Sequence, residues 1–230
     1  LNAARLFSAA LAEDLKSNPE QSELIINVDR SIRSADRLLR SLLDISKLDQ
    51  GGVTARIETF QLSDILSDIE REFLAIASGK GLRFRVRGGH LAVTSDKVLL
   101  RSIIQNFLSN AVRYTRKGGV LLAARRRDGH VRIEIWATGI GIQKDKLTEI
   151  FKEFQRIGAS ELDDDRGVGL GLAIVERAAV LIGADIIVKS EPGRGSMFAI
   201  SIRSGDAGAI RQTASAPPST RQTVFPKTVL

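Results

Sequence analysis

The chain has no cysteine among its 230 residues and only two histidines, His90 and His130. The absence of cysteine excludes disulfides, thiolate metal sites and a cysteine nucleophile, and it fits a reducing compartment. Two histidines are too few for a multi-histidine metal site. We therefore expect a cytoplasmic protein whose chemistry depends on neither a disulfide nor a histidine-rich metal centre.

Long apolar runs are missing too. The best candidate, residues 170–188, is interrupted by Glu176, Arg177 and Asp185, whereas a membrane span needs roughly 18–20 apolar residues. The N-terminus has no signal-peptide pattern, and we expect no direct membrane insertion of this chain. The first residue is Leu1 rather than methionine, so we expect a fragment of a longer protein, which preceding sequence could tether to a membrane.

The charge balance is mildly basic, with 34 Lys and Arg against 27 Asp and Glu, a net charge of +7. The densest basic run, residues 125–127, adjoins Asp128-Gly129 between two alternating apolar runs, where a hairpin turn belongs and charges are solvated. The sequence shows no platform of interleaved aromatic and basic residues. We therefore expect no nucleic-acid partner, and an acidic protein surface suits this charge better.

Apolar spacing in the N-terminal part predicts two helices, residues 1–18 and a second one beginning at Pro19. The second helix carries a heptad-like seam of apolar residues at Ile25, Val28, Ile32, Ala35, Leu39 and Leu42. Two helices cannot bury such seams alone, so we expect a helical hairpin over residues 1–50 that forms a four-helix bundle in a homodimer. The alternative is a hairpin packed on its own C-terminal domain.

The apolar period changes after Gln50-Gly51-Gly52. Helices are predicted at residues 62–76, 99–114, 145–154 and 169–182, and strands at residues 82–86, 120–126, 131–137, 186–189 and 197–202. The first of these helices has an apolar stripe that ends at Ile76. Helices with an antiparallel-rich sheet predict an α+β fold, an α/β sandwich with a mixed, mostly antiparallel sheet over residues 51–204. Residues 205–230 have the composition of a linker or disordered tail.

Polar residues on the helix at 99–114 carry the first chemical signal. Asn106, Asn110 and Arg113 fall at positions i, i+4 and i+7, on one face beside the apolar stripe. An amide oxygen there can coordinate Mg²⁺, and an arginine can pair with phosphate. The alternative is an ordinary polar helix edge.

Two glycine-rich segments carry the second signal. Residues 138–142, Thr-Gly-Ile-Gly-Ile, directly follow a predicted strand, where glycines let the backbone approach a ligand closely. Residues 167–172 open a helix, and backbone N–H groups at a helix N-terminus can cradle phosphate. This segment lacks the Gly-Lys-Ser/Thr of a Walker A motif, and a polar loop rather than a strand precedes it, unlike a Rossmann fingerprint.

In this order and spacing the segments resemble the ATP-binding domain of sensor histidine kinases, part of the wider gyrase, Hsp90, histidine kinase and MutL ATPase family. Residues 106–114 resemble the N box, 138–142 the first glycine box, 151–154 the F box, 167–172 the second glycine box and 193–198 the closing glycine turn. The resemblance covers about residues 56–203. Residues 1–49 resemble the dimerisation and phosphotransfer helices.

The resemblance implies ATP and Mg²⁺ as cofactors, with Asn110 holding the metal and residues 155–166 forming a lid over the nucleotide. Phe151 and Phe154 would anchor that lid, or they are plain core residues. The implied nucleotide-binding residues are Asn106, Asn110, Arg113, Tyr114, Ala137, Gly139, Gly141, Ile142, Lys144, Phe154, Gly167, Val168, Gly169, Leu170, Gly171, Leu172 and Ser196.

The implied reaction is transfer of the ATP γ-phosphoryl group to a histidine and relay to an aspartate of a response-regulator receiver domain, separate or fused after Leu230. Residues 1–7 resemble the sequence that directly follows a phosphoacceptor box, so the acceptor histidine is expected upstream of Leu1. His90 and His130 are interpreted as surface residues. No catalytic residue is therefore expected within this chain.

One position departs from the family pattern. Where the family has an aspartate whose carboxylate accepts a hydrogen bond from the adenine amino group, this chain has Ala137. Three interpretations remain open: an engineered loss of ATP binding, a natural pseudokinase scaffold that docks a receiver domain, or a site where water or a neighbouring group replaces the carboxylate. An ATPase of the same superfamily without phosphotransfer is a further alternative.

Overall fold

The computed structural model describes residues 19–49, 52, 54–155 and 169–206. The helices are α1 (Pro19–Asp49), α2 (Ser63–Gly79), α3 (Lys97–Arg113) and α4 (Gly171–Leu181), with a 3-10 turn at Lys144–Lys146. The strands are β1 (Glu58–Gln61), β2 (Arg83–Arg87), β3 (Ala92–Ser95), β4 (Gly119–Arg127), β5 (His130–Ala137), β6 (Asp185–Glu191) and β7 (Gly195–Arg203). The helix predicted at residues 1–18, and residues 207–230 of the predicted tail, lie outside the described residues.

The five-stranded sheet has the order β2-β4-β5-β7-β6. Strands β2 and β4 pair in parallel, and the other three pairings are antiparallel. A separate antiparallel pair, β1 and β3, joins the end of β7 through a bridge between Val93 and Ser204. The predicted α+β class with a mixed, mostly antiparallel sheet is therefore confirmed.

The core lies between one face of this sheet and helices α2, α3 and α4. Buried and more exposed residues alternate along β4, as a half-buried strand requires, whereas residues 197–200 of β7 are all buried. At the centre the Phe107 ring of α3 lies 5.3 Å from the Phe198 ring of β7. The sheet face opposite the helices carries exposed side chains, among them Arg85 and Trp136.

Two local signals fix the ends of elements. Asp96 caps α3, because its carboxylate accepts hydrogen bonds from the backbone N–H groups of Val98 and Leu99, both at 2.9 Å. The β4–β5 turn has positive φ at Asp128 (49°) and Gly129 (76°), as a two-residue hairpin turn of the I′ class requires. The predicted hairpin is confirmed.

The prediction of a helix at residues 145–154 is wrong. After the 3-10 turn the chain continues in further turns with mostly three-residue hydrogen-bond steps, such as Lys152 N to Glu149 O at 2.9 Å. Phe154 adopts a φ of 60°, and its N–H donates to the carbonyl of Gly169 at 3.0 Å. Because the Phe154 N–H bonds to Gly169, it cannot donate to the carbonyl four residues earlier, as an α-helix would require.

Two other expectations need correction. Ile76 is 44% exposed, and the neighbouring Ala77 takes the buried position at the end of α2 instead. Strands β1 and β3 were not predicted, because each has only four residues and neither has a long alternating pattern.

The central aromatic contact predicts the outcome of one substitution. Phe107→Ala removes a side chain with no exposed surface and should lower the free energy of unfolding by about 3–5 kcal/mol. Val98→Ala, at a position of the same helix that is 76% exposed, should change it by less than about 0.5 kcal/mol. Urea unfolding monitored by circular dichroism measures both values, and equal losses would contradict this account of the core.

Candidate functional site

A cavity of about 230 Å³ lies between α3, the start of α4 and the loop after β5. Most of the residues singled out from the sequence line it. They are Asn106, Asn110, Arg113, Tyr114, Ala137, Gly139, Gly141, Ile142, Gly169, Leu170, Gly171, Leu172 and Ser196.

The polar face of α3 forms one wall. Asn106 Nδ2 donates to the Ser102 carbonyl at 2.9 Å, which leaves its Oδ1 facing the start of α4. A Cβ on Gly171 would lie 2.7 Å from that oxygen, so a side chain there would displace the Asn106 amide. Within the part of the chain that the structure describes, no hydrogen bond engages the side-chain amide of Asn110, which remains available to a ligand.

The loop after β5 forms the second wall. Ile140 N donates to the Tyr114 carbonyl at 3.2 Å, which ties this loop to the end of α3. Gly141 has a φ of 71°, and a Cβ there would lie 2.0 Å from the Glu191 carbonyl oxygen. A side chain at Gly141 would therefore displace the loop from the sheet.

The N-terminus of α4 closes the third side. The first backbone N–H groups of a helix have no acceptor within the helix, and no side chain caps this one at Leu170. Gly171 and Leu172 of this first turn line the cavity. The unpaired N–H groups and the positive end of the helix dipole suit an anion here.

The charge of the wall favours the same kind of ligand. Among the described residues that line the cavity, Arg113 is cationic and none is acidic. Its guanidinium carbon lies 5.8 Å from the centre of the Tyr114 ring. In the described ranges no group of three metal-ligating side chains occurs, so a metal at Asn110 would need most of its ligands from the bound anion itself.

Helix α1 reaches the site. The sequence left packing on the C-terminal domain open as an alternative but did not place any residue of this helix at the cavity. Ser41 lines the cavity, and Ile45 is buried against Leu170, Ala173 and Ile174 at the start of α4. The available signal was Ile45 itself, which continues the three-residue step from Leu39 to Leu42. A sequence pattern does not say which surface such a residue meets.

Arg177 of α4 joins three segments. Its Nε donates to Asp49 at the end of α1 at 2.6 Å, and a second nitrogen pairs with Glu153 in the loop before residue 155. The hydrogen bond to Asp49, more than that to Glu153, holds the pKa of Arg177 above its ordinary value. We call this three-residue contact the Arg177 bridge.

The structure does not bring every predicted residue to the cavity. Lys144 is exposed and Phe154 is 57% exposed, and neither lines the wall. Phe151 is partly buried and packs on the main core. Gly167, Val168 and residues 156–166 of the predicted lid lie outside the described residues. Lining residues outside the predicted binding set include Ser41, Thr115 and Ile150, and also Ser109, Ile140, Gln155 and Phe198, which lie within the predicted motif or lid segments.

The family of this domain follows from the comparison with known proteins. Residues 95–206 match the family described as histidine kinase-, DNA gyrase B-, and HSP90-like ATPase. The chain carries a sensor histidine kinase ATPase core. In the described residues of this kinase core, no helix is long and apolar enough to cross a membrane.

Similar proteins agree with this assignment. The kinase core is 31% identical to the autoinducer 2 sensor kinase/phosphatase LuxQ of Vibrio parahaemolyticus over 94% of this chain and 26% of LuxQ. It is also 31% identical to the aerobic respiration control sensor protein ArcB of Escherichia coli, over 82% of this chain and 25% of ArcB. The chain thus spans about a quarter of the length of these two relatives.

The fold is similar to that of solved sensor kinases. A crystal structure of full-length ShkA in complex with AMPPNP superposes with a TM-score of 0.70 and 27% sequence identity. The match covers 83% of this chain and 40% of ShkA.

The Arg177 bridge leads to a prediction about local rather than global stability. Arg177→Met keeps the apolar stem but loses both ion pairs, and Asp49 is half exposed, so the free energy of unfolding should fall by less than about 1 kcal/mol. Backbone amides near residue 49 should exchange hydrogen faster. Arg194→Met, which breaks an exposed pair with Glu191, is the matched control and should leave that exchange unchanged. Unchanged exchange in Arg177→Met as well would show that the bridge does not hold α1.

Proposed function

We propose that this chain is the kinase core of a two-component sensor histidine kinase that binds Mg-ATP and provides its γ-phosphoryl group for transfer to a histidine. The observation that carries the proposal is the cavity whose wall combines Asn110, Arg113 and the uncapped N-terminus of α4 without a carboxylate. A triphosphate matches this wall in charge and in hydrogen-bonding chemistry. The ShkA structure, similar in fold and bound to AMPPNP, supports the same ligand class.

The residues present fit a magnesium nucleotide. Asn110 would supply one oxygen ligand to Mg²⁺, Arg113 would pair with phosphate oxygens, and the backbone of residues 169–172 would donate to them. When bound, Mg-ATP supplies the transferable phosphoryl group and a cation that neutralises its charge. The chain itself contributes positioning and electrostatic stabilisation.

We infer that the phosphoacceptor is a histidine outside this sequence. His90 lies in the turn that follows β2, and His130 is the first residue of β5. Both side chains are exposed. Neither is on a helix or among the residues that line the cavity. Relay to a receiver-domain aspartate is proposed from the family resemblance.

We further propose that the chain works as a homodimer through residues 1–50. Helix α1 leaves large apolar side chains on its surface, namely Leu24, Val28, Leu39, Leu42 and Leu43. Exposed apolar residues at helical spacing are typical of a helix that packs on a partner. A second copy of the same helix would complete the seam.

Ala137 should weaken nucleotide binding rather than abolish it. It pairs in register with Ser196, whose Oγ lies 2.7 Å from Ser190 Oγ. The Ser190 hydroxyl donates its one proton to the Gly195 carbonyl at 3.0 Å. The Ser196 hydroxyl must therefore donate to Ser190 Oγ, and the Ser196 oxygen remains free to accept a hydrogen bond. A neutral hydroxyl acceptor beside Ala137 is a weaker partner for an amino group than a carboxylate.

Restoring the carboxylate should therefore strengthen binding. Ala137→Asp is expected to tighten Mg-ATP binding by about 10- to 150-fold, the equivalent of one charged hydrogen bond of roughly 1.5–3 kcal/mol. Calorimetric titration of both forms measures it. Ala137→Val, of similar size but without an acceptor, is the control and should show no gain.

Other results of that titration separate the alternatives. Equal binding by both forms would mean that the Ser196 hydroxyl or another group already replaces the carboxylate. Absence of binding in both forms would contradict the proposed function and favour the second candidate, a non-catalytic dimeric scaffold, which the missing carboxylate at Ala137 supports.

Asn110→Ala tests the metal role separately. We expect the affinity for Mg-ATP to fall on the order of tenfold, because one hydrogen-bonding or metal-ligand group is lost, while affinity for the nucleotide in excess chelator stays the same. Titration with and without Mg²⁺ measures both values. Ser109→Ala, on the same wall, is the control. In this variant the ratio of the affinities measured with and without Mg²⁺ should equal that of the original chain. A loss that is equal with and without Mg²⁺ would assign Asn110 to the nucleotide instead of the metal.

A further inference from the structure

The uncovered face of the five-stranded sheet carries a second, wider groove of about 700 Å³. Strand register places one row of side chains straight across it. The row runs Arg85, Leu121, Trp136, Met197 and Lys189, from β2 at one edge to β6 at the other. The face is therefore apolar at its centre and cationic at both edges.

Four cations on this face lack acidic partners. Arg83, Arg85 and Arg87 follow one another on the same side of β2 and are all exposed. Within the described ranges no ion pair involves these three arginines or Lys189. The groove also contains Arg194 and Glu191, which pair with each other at 3.0 Å. Four cations around the groove thus remain uncompensated, an arrangement that suits an anionic partner.

Trp136 is held in position at the centre of this face. Its indole Nε1 donates to Glu134 Oε2 at 3.0 Å, and Glu134, which is buried, accepts from Arg125 Nε at 2.9 Å through its other oxygen. The ring itself stays 43% exposed. An exposed aromatic whose rotamer is already fixed loses little entropy when a partner packs on it.

The dimensions indicate an extended partner rather than a small anion. Five strands separated by about 4.8 Å place Arg85 and Lys189 roughly 19 Å apart, and the three arginines of β2 repeat at about 6.6 Å along the strand. One phosphate group could engage one or two of these cations, whereas a polypeptide with spaced carboxylates could engage them all.

The chain's own C-terminal segment does not supply those carboxylates. Residues 207–230 contain two arginines and one lysine and no acidic residue. The complementary charge must therefore come from elsewhere than this segment.

We propose that this sheet face docks an acidic segment of another protein, with an apolar or aromatic side chain of that segment packed on Trp136. The proposal does not rest on nucleotide binding, because the row from Arg85 to Lys189 lies on the opposite face of the sheet from the helices that frame the cavity. The groove and the cavity meet at Ala137 and Ser196, which line both.

Trp136 provides the assay, since it is the only tryptophan of the sequence. The probe is a short oligoglutamate peptide with one central phenylalanine, titrated into the full chain while Trp136 fluorescence is recorded. The peptide should shift the emission, its oligolysine counterpart should not, and added salt should weaken the interaction. Trp136→Phe, followed by calorimetry, should bind the peptide severalfold more weakly.

Charge reversal locates the site. The double variant Arg85→Glu/Lys189→Glu should bind the peptide about tenfold more weakly. Arg126→Glu/Arg127→Glu changes the net charge equally at two exposed positions of the hairpin end and should bind within about twofold of the original chain. Equal weakening in both double variants would overturn the proposal, because only net charge would then matter.

Rival ligands give the remaining outcomes. Competition with a single-stranded oligonucleotide or inorganic tripolyphosphate tests for a phosphate ligand. If either displaces half of the peptide at a concentration below the dissociation constant of the peptide, the proposal is overturned in favour of a phosphate ligand. Self-association of the chain that Arg85→Glu/Lys189→Glu abolishes would overturn it in favour of a second copy. Unfolding midpoints equal to that of the original chain confirm that each variant is folded.

Discussion

The packing of α3 on the centre of the sheet is the constraint on which the site depends. Phe107 has no exposed surface and contacts Phe198, and Leu100 and Ile103 are fully buried on the same stripe. Because a helix repeats every 3.6 residues, burial of that stripe turns Asn106 and Asn110 to its edge, toward α4. Core packing therefore sets the positions of the Asn106 and Asn110 side chains at the cavity, and Asp96 fixes where the helix begins.

Close approach of backbone segments at two glycines forms the rest of the cavity. At Gly141 a Cβ would collide with the Glu191 backbone carbonyl, so the loop after β5 reaches its position only without a side chain there, and at Gly171 a Cβ would displace the Asn106 amide. The cavity then offers backbone N–H groups, an amide and one guanidinium, but no carboxylate. This composition determines the ligand class more directly than any one residue does, since each of its donors favours negative charge.

Sequence reasoning succeeded where a signal is local. The β4–β5 hairpin follows from alternation around Asp128-Gly129, and the glycine segments follow from their spacing. It failed where a tertiary contact determines the local structure. Residues 145–154 do not form an α-helix, and the Phe154 N–H bonds instead to the Gly169 carbonyl of a distant segment. Ser41 lines the cavity and Ile45 packs on the start of α4, although both are distant in sequence from these segments, and periodicity cannot reveal such contacts. Asp96 was a readable cap signal that the periodic pattern of α3 obscured.

Strand β5 contributes to both the cavity and the groove on the outer face of the sheet. Because side chains alternate, the strand that carries Ala137 toward the cavity turns Trp136 to the opposite face, one residue earlier. Glu134, from the same strand, accepts a hydrogen bond from the Trp136 indole at 3.0 Å and so fixes the side chain on the outer face. A partner on Trp136 would thus bind the strand whose next residue, Ala137, lines the cavity. Neighbouring elements supply the cations at both surfaces, Arg113 at the cavity and Arg83, Arg85, Arg87 and Lys189 around the groove, and this charge suits anionic partners on both sides of the sheet.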